Sequence, residues 1–110
     1  MEISERQICA AVIAPKGRVD VFTVQELRAV LDRHVDGGTV RFVVDLSEVT
    51  FLDSAGMAVL VTLLKRARTG GGNVRLVWPQ EEAATRILRL TRFDRVFDMA
   101  ASVDDALRAF

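Results

Sequence analysis

The polar residues best suited to chemistry are the adjacent Asp53 and Ser54, which lie between a β-type apolar run and an unusually apolar helical segment. In an open α/β sheet, such a junction places a side chain at the carboxyl end of a strand and the N-terminus of a helix, where ligands and partners bind. The simplest interpretation is structural. Either residue can cap the helix by accepting a backbone N–H bond, which contributes about 1 kcal/mol.

A cap does not explain Gly56, because a glycine in the first helical turn costs about 1 kcal/mol relative to alanine. Close approach of another backbone would explain it. The small residues Ala55, Gly56 and Ala58 also leave the Ser54 hydroxyl uncovered, so that a partner or a kinase can reach it. A phosphate there would add about −1.5 to −2 charges at a helix N-terminus, which tolerates anions, so we expect the surface charge to change while the fold survives.

Catalysis by Ser54 would require a base, and the only histidine is His34, which the pattern places as a solvated residue near the end of the first helix. The glycine run at 70–72 leaves a helix and enters a strand, the reverse of a phosphate-binding loop, and is predicted to be a helix stop. Cys9 has no second thiol for a disulfide or a metal cage and is interpreted as a strand residue. We therefore predict no enzyme, no metal and no cofactor.

Length and composition predict one small globular domain. The chain has 110 residues, of which 50% are hydrophobic, and its 15 basic side chains balance 15 acidic ones. Arginine and lysine are not concentrated enough to favour nucleic acid as a partner. No apolar run reaches the roughly 18 residues that a membrane span requires, and the N-terminus lacks the features of a signal peptide, so we expect a cytoplasmic protein with no membrane partner.

Strand and helix signals alternate along the chain, which predicts a mixed or mostly parallel sheet with helices packed against it. Strands are predicted at 8–14, which ends at Pro15 and pairs with residues 2–6, at 40–46 in the centre of the sheet, at 74–78 and at 93–99. Residues 47–52 are interpreted as a connection.

Four helices are predicted between these strands. The first begins at Thr23, with Glu26 at the capping-box spacing, and ends at Gly37. The second follows Asp53 and is apolar on nearly every side, so it should pack on more than one side. A third opens at Glu81, and the last begins at Ser102, with Asp105 at the capping-box spacing.

Residues 43–56 resemble the central strand and the Asp-Ser-(Ser/Thr/Ala)-Gly signature of the STAS domain family, in particular its anti-sigma factor antagonists of bacterial sporulation and stress-response switches. Residues 17–23 are similar to the family's upstream Gly-x-hydrophobic-Asp segment, and residues 93–110 to its last strand and helix. The resemblance covers nearly the whole chain. It implies an α/β, STAS-like single domain over residues 1–110, with a four- to five-stranded mixed sheet and about four helices.

The resemblance also implies a function. Unphosphorylated, such a protein binds a serine-kinase anti-sigma factor and frees a sigma factor; phosphorylation of the serine after the signature aspartate, here Ser54, abolishes binding, and a metal-dependent, PP2C-type phosphatase restores it. The kinase supplies ATP and metal, so Ser54 is a substrate. The implied partner-binding residues are Asp20, Asp53, Ser54, Ala55, Gly56 and Met57, the last of which the helical pattern alone leaves as core or surface.

Two departures from the family pattern are visible: Ala55 replaces a second hydroxyl and Ala58 replaces a glycine found in many relatives. Two other functions remain open. One is a non-catalytic STAS scaffold or sensor that binds a nucleotide, a lipid or other STAS proteins at the same strand-end region. The other is a small serine enzyme, which the missing base disfavours. No apolar stripe requires a dimer, and we expect a monomer or a weak dimer.

Overall fold

The structure is a computed structural model that describes all 110 residues. It is an α/β single domain with one six-stranded mixed sheet and five helices, so the predicted fold class is confirmed with slightly different counts. The elements in chain order are β1 (Glu2–Ile8), β2 (Ala10–Val19), α1 (Val24–Asp36), β3 (Arg41–Asp45), β4 (Val49–Leu52), α2 (Ser54–Thr69), β5 (Asn73–Val77), α3 (Glu82–Leu90), α4 (Phe93–Val96), β6 (Asp98–Ala100) and α5 (Val103–Arg108).

The sheet has the order β1-β2-β3-β5-β6, and β4 pairs separately with the second part of β2. Only the β1–β2 pair is antiparallel. The central position predicted for the strand at 40–46 is confirmed, since β3 lies between β2 and β5. Its residues Phe42, Val43 and Val44 are fully buried, as expected for a strand that is covered on both faces.

Strand β2 is longer than predicted and changes its parallel neighbour along its length. Ala11–Ile13 pair with β3, whereas Gly17–Val19 pair with β4. Pro15 falls between the two parallel pairings, so its missing N–H interrupts neither of them, and the strand does not end there. As a consequence, the carboxyl ends of β2 and β4 lie side by side, with Val19 opposite Leu52.

Alternation along the strands divides the core between the two faces of the sheet. Ala11, Ile13, Phe42 and Leu76 belong to a cluster that α1, α2 and α3 cover with Leu27, Leu31, Leu60, Leu63, Leu64 and Leu88. On the other face, α5 packs Ala106 against Val12, Val43 and Val77. Helix α2 contacts α1, β4 and β5, which confirms that it packs on more than one side. None of the five helices is both long and apolar enough to span a bilayer.

Two predictions about secondary structure are wrong. The segment interpreted as a connection contains β4, whose four residues, with an exposed Thr50 among them, are too few to produce a clear alternation. The strand predicted at 93–99 is α4 followed by β6. Phe93 and Phe97 are spaced for one helical face, and their ring centroids lie 5.5 Å apart, so the apolar run satisfies a helical turn better than a strand.

Two single-residue interpretations also need correction. His34 is not solvated: its side chain is only 18% exposed, its Nε2 lies 2.9 Å from Oε1 of Glu5, and its ring meets Phe42 edge-on. Hydrogen bonding to His34 and then Arg33 holds the pKa of the Glu5 carboxyl below its usual range. Cys9 is not in a strand, because it forms the exposed turn between β1 and β2 with a left-handed φ of 52°.

Candidate functional site

The site lies where the carboxyl ends of β2 and β4 meet the N-terminus of α2. Residues 20–23, which we call the 20–23 loop, lead from β2 into α1, and Asp53 leads from β4 directly into α2. The pairing of Val19 with Leu52 brings these two exits together. This strand end is the location predicted for Asp53 and Ser54, and the parallel arrangement of β2 and β4 is the reason that both segments reach it.

Asp53 is the N-cap of α2 and also fixes the neighbouring loop. Its Oδ1 accepts hydrogen bonds from the backbone N–H groups of Ala55, at 2.9 Å, and Gly56, at 3.0 Å. Its Oδ2 accepts the N–H of Val21 at 3.0 Å. The alternative of a cap by Ser54 is thereby excluded, and one carboxylate joins the first turn of α2 to the 20–23 loop.

Gly56 is buried because the backbone of β2 lies against it. A Cβ added at this position would be 2.7 Å from the carbonyl oxygen of Val19 and 2.9 Å from its Cγ1. The close approach predicted for this glycine is therefore confirmed, and the approaching backbone belongs to the same chain. Gly56 seats α2 on the end of β2 and does not itself present a side chain or an open surface.

Ser54 is the first residue of α2 and is exposed. Asp53 Oδ1 takes the next two N–H groups of the helix, and the hydrogen bonds at this helix terminus do not involve the serine hydroxyl. Ala58, one turn further along, is exposed as well, whereas Ala55 and Met57 are half-buried. The hydroxyl is therefore accessible to a large partner, as the small neighbours predicted.

Asp20 follows the end of β2, as predicted, but its side chain is not displayed at the surface. The residue is only 6% exposed. Its Oδ1 accepts the N–H groups of Phe22 and Thr23, at 3.0 and 3.2 Å, and its Oδ2 pairs with Nε of Arg18 at 3.1 Å. Burial acts to raise the pKa of this carboxyl, but the bonds from Arg18, Phe22 and Thr23 outweigh it and leave the pKa below its usual value. Asp20 thus shapes the loop from within.

The capping box predicted between Thr23 and Glu26 is wrong. Thr23 Oγ1 accepts the N–H of Asp20 at 3.1 Å and donates to the carbonyl oxygen of Arg18 at 2.9 Å. It makes no cap bond to α1. Because the Thr23 N–H also donates to Asp20 Oδ1, the two residues close the loop reciprocally. Thr23 keeps the N-cap position of α1, but its side chain is engaged within the loop.

The sequence interpretation missed two apolar residues at this site. Val21 is 60% exposed and Phe22 is 90% exposed, although both are large and hydrophobic. Both side chains point outward because the side chains of Asp20, Thr23 and Asp53 accept hydrogen bonds from the backbone N–H groups of the loop. An apolar pair flanked by Asp20 and Thr23, the two residue types that close turns, is the sequence signal that could have revealed them.

The geometry around Ser54 offers an exposed surface at the end of the sheet. Asp53 and Ser54 line none of the three surface grooves. His34 bonds to Glu5 and not to Ser54, so the serine has no imidazole base. No group of three or more His, Cys, Asp or Glu side chains is placed to hold a metal ion. What the arrangement can do chemically is present a hydroxyl, with an apolar loop beside it, to another macromolecule.

Comparison with known proteins identifies the class. The STAS domain family matches residues 2–106. A protein of Thermotoga maritima that is named as an anti-sigma factor antagonist is 32% identical over 78 residues, which are 71% of this chain and 68% of that protein. The chain therefore belongs to the STAS domain family, and its relatives place it among the anti-sigma factor antagonists of that family.

Solved structures agree with this assignment. The crystal structure of an anti-sigma factor antagonist from Mycobacterium paratuberculosis superposes on this chain with a TM-score of 0.87 at 27% sequence identity. The match covers 98% of this chain and 92% of that one. The phosphorylated form of the Bacillus cell fate determinant SpoIIAA has a TM-score of 0.74 at 15% identity, with 99% of this chain and all of that one covered. The second similarity establishes the fold alone.

Proposed function

We propose that this protein is an anti-sigma factor antagonist that binds a serine-kinase anti-sigma factor when Ser54 is unphosphorylated and thereby frees a sigma factor. Phosphorylation of Ser54 ends the binding, and a PP2C-type phosphatase restores it. The observation that carries the proposal is the exposed hydroxyl of Ser54 on the first residue of α2, directly after the capping Asp53. The protein acts as a kinase substrate and not as an enzyme, in the cytoplasm where its partners act.

The proposed partner contacts are divided between displayed and supporting residues. Ser54, Ala55 and Met57 lie along the first turn of α2 with at least part of their surface open, and Val21 and Phe22 project beside them. Exposed apolar residues held on a fixed loop are suited to fill pockets at the centre of an interface. The buried Asp20 and Gly56 and the half-buried Asp53 support binding indirectly, because they fix the loop and seat the helix.

A phosphate on Ser54 would lie next to the carboxylate of Asp53, which already occupies the N-terminus of α2. The N–H groups of Ala55 and Gly56, which would otherwise stabilise the phosphate, are occupied by Asp53 Oδ1. About −1.5 to −2 charges would therefore be added beside a carboxylate. We expect the phosphate to weaken partner binding by charge repulsion and to compete with the contact from Asp53 to Val21, so that the 20–23 loop loosens.

The decisive experiment incubates the protein with ATP and the kinase that the immobilised protein recovers from its native cell. Mass spectrometry should find one phosphate on Ser54, none on Ser54→Ala, and full incorporation in the control Ser4→Ala, which removes an exposed serine on β1. The Ser54→Ala protein should still bind the kinase. A phosphate mapped to another residue, or equal affinity of the phosphorylated and unphosphorylated forms, would favour a scaffold function instead.

A further inference from the structure

Four arginines form an exposed ridge on the α3–α4 segment. Arg86 and Arg89 lie on α3, Arg92 joins the helices, and Arg95 lies on α4. Successive backbone turns connect the last three of them. The N–H of Arg92 donates to the carbonyl oxygen of Arg89, and the N–H of Arg95 donates to the carbonyl oxygen of Arg92. Asp94 is the one acidic residue among positions 86–95, so this arginine ridge is strongly cationic within a chain of zero formal net charge.

The ridge cations have no anionic partner within the chain. Arg18, Arg33, Arg66 and Arg108 all pair with carboxylates, but none of the four ridge arginines does. The Arg89 guanidinium lies 5.3 Å from the centroid of the Trp78 ring, which orients it without neutralising it. The positive charge is therefore available to a molecule outside the chain.

Arg92 occupies a backbone conformation that favours glycine. Its φ is 62°, in the left-handed region, and it directly follows Thr91, the C-cap residue of α3. Glycine commonly ends helices at this position because a Cβ is strained there. Strained residues of this kind concentrate at functional sites, where the side chain is retained despite its effect on stability. The ridge is thus continued across the break between α3 and α4 by a residue type that this backbone conformation does not favour.

A shallow groove runs beside the ridge and has both charged and apolar walls. It encloses about 370 Å³ and is lined by Gln80, Glu82, Thr85, Arg86, Arg89 and Leu90. Leu90 is 71% exposed, although it is a large apolar residue. Guanidinium groups bind carboxylates through paired hydrogen bonds, so Arg86 and Arg89 fit an acidic chain, and Leu90 can pack against an apolar side chain within it.

We propose that the arginine ridge is a second docking surface, separate from Ser54, that binds an acidic segment of a partner protein. Nucleic acid fits less well, because the exposed apolar side chain of Leu90 beside the arginines has no counterpart in a phosphate backbone. A membrane surface fits less well too. The apolar stripe of α3, with Ala84 and Leu88, is buried in the core, which leaves Leu90 without the apolar face that an interfacial helix needs.

A direct test uses fluorescence anisotropy with a labelled peptide of glutamates around one central leucine. The protein should bind it at low salt, and the double variant Arg86→Gln/Arg89→Gln should weaken binding by about tenfold or more. The matched control is Arg6→Gln/Arg41→Gln, which removes two other exposed arginines that have no carboxylate partner. The control should change the affinity by less than about twofold. Equal losses in both double variants would overturn the proposal.

Arg92→Gly separates binding from folding. Glycine should raise the melting temperature by relieving the left-handed strain, while peptide binding weakens because a ridge charge is lost. A more stable variant with unchanged peptide affinity would contradict the proposal. So would tighter binding of the wild type to a DNA duplex or to phosphatidylserine vesicles than to the peptide, since either result would assign the ridge to another class of partner.

Discussion

At the residue scale, the site depends on two carboxylates with different roles, the buried Asp20 and the half-buried Asp53. Asp53 accepts three backbone N–H groups, two from α2 and one from the 20–23 loop. Asp20 accepts two N–H groups within the loop and pairs with Arg18. Neither presents its charge freely at the surface, and together they fix the positions of two exposed side chains, Ser54 and Phe22.

Asp20 makes the stability of the fold sensitive to acid. Because its pKa is lower in the folded chain than the ordinary value near 3.9, its contribution is complete above about pH 4 and disappears as the pH falls through the folded pKa. Asp20→Asn should therefore be less stable than the wild type near pH 6, by a difference that shrinks below about pH 4. Urea unfolding across this range measures the difference.

The control for this pH experiment is Asp104→Asn, which changes an exposed carboxylate on α5. It should leave the pH dependence of unfolding close to that of the wild type. A stability difference between Asp20→Asn and the wild type that stays constant from neutral to acid pH would contradict the assigned role of the Asp20 carboxylate.

Gly56→Ala should destabilise the fold even though alanine is the better helix former. The new Cβ would lie 2.7 Å from the Val19 carbonyl, so α2 or β2 must shift, and overpacking of this kind typically costs about 1–3 kcal/mol. Gly37→Ala is the control, because its Cβ would be no closer than 3.4 Å to the backbone. Urea unfolding should show a loss for the first variant only; equal stabilities would refute the close packing of Gly56.

At the element scale, Asp53 couples α2 to the 20–23 loop, and the coupling can be tested by one substitution. Asp53→Asn keeps an oxygen to cap α2, but its amide NH₂ cannot accept the N–H of Val21. Hydrogen exchange at Val21 and Phe22 should therefore become faster while α2 keeps its protection. The control Asp45→Asn changes a carboxylate that holds Ser47 and should leave the loop unaffected. Unchanged exchange at Val21 in Asp53→Asn would disprove the coupling.

The elements that the sequence predicted well are those with long, regular patterns. Strand β3 and helix α2 carry apolar runs that only a buried element explains, and the Asp53–Ser54 junction between strand and helix followed from them. Strand β4 is too short to show alternation, and α4 carries an apolar run that fits either period. The burial of Asp20 and the display of Phe22 depend on how the loop closes against Asp53, a contact between segments more than thirty residues apart that local patterns do not contain.

At the scale of the whole molecule, the surface carries two chemically different patches on a chain of zero formal net charge. Around Ser54 the surface carries the apolar Val21 and Phe22 beside the half-buried Asp53, and on α3–α4 it is cationic. The sheet keeps the strand-end site rigid, since β2 pairs with three other strands and its end packs under α2. Because β2 is held in this way, we expect a phosphate at Ser54 to change the local charge and loosen the 20–23 loop while the sheet and helices are retained.

Phe22 should be a strong contributor to partner affinity and a weak one to stability. The residue is 90% exposed, so Phe22→Ala removes little from the core, yet it should weaken binding of the recovered kinase by about tenfold or more. Ile8→Ala, at the exposed end of β1, is the control and should bind normally. Surface plasmon resonance measures both, and normal binding by Phe22→Ala would exclude the 20–23 loop from the interface.

The most direct measurement is isothermal titration calorimetry of the kinase partner against two forms of this protein, one unmodified and one carrying phosphoserine at position 54. The unmodified form should bind, and the phosphorylated form should bind at least about tenfold more weakly while its circular dichroism spectrum shows the same helix content. Equal affinities, or a phosphorylated form that has lost its fold, would contradict a switch that acts through charge at Ser54.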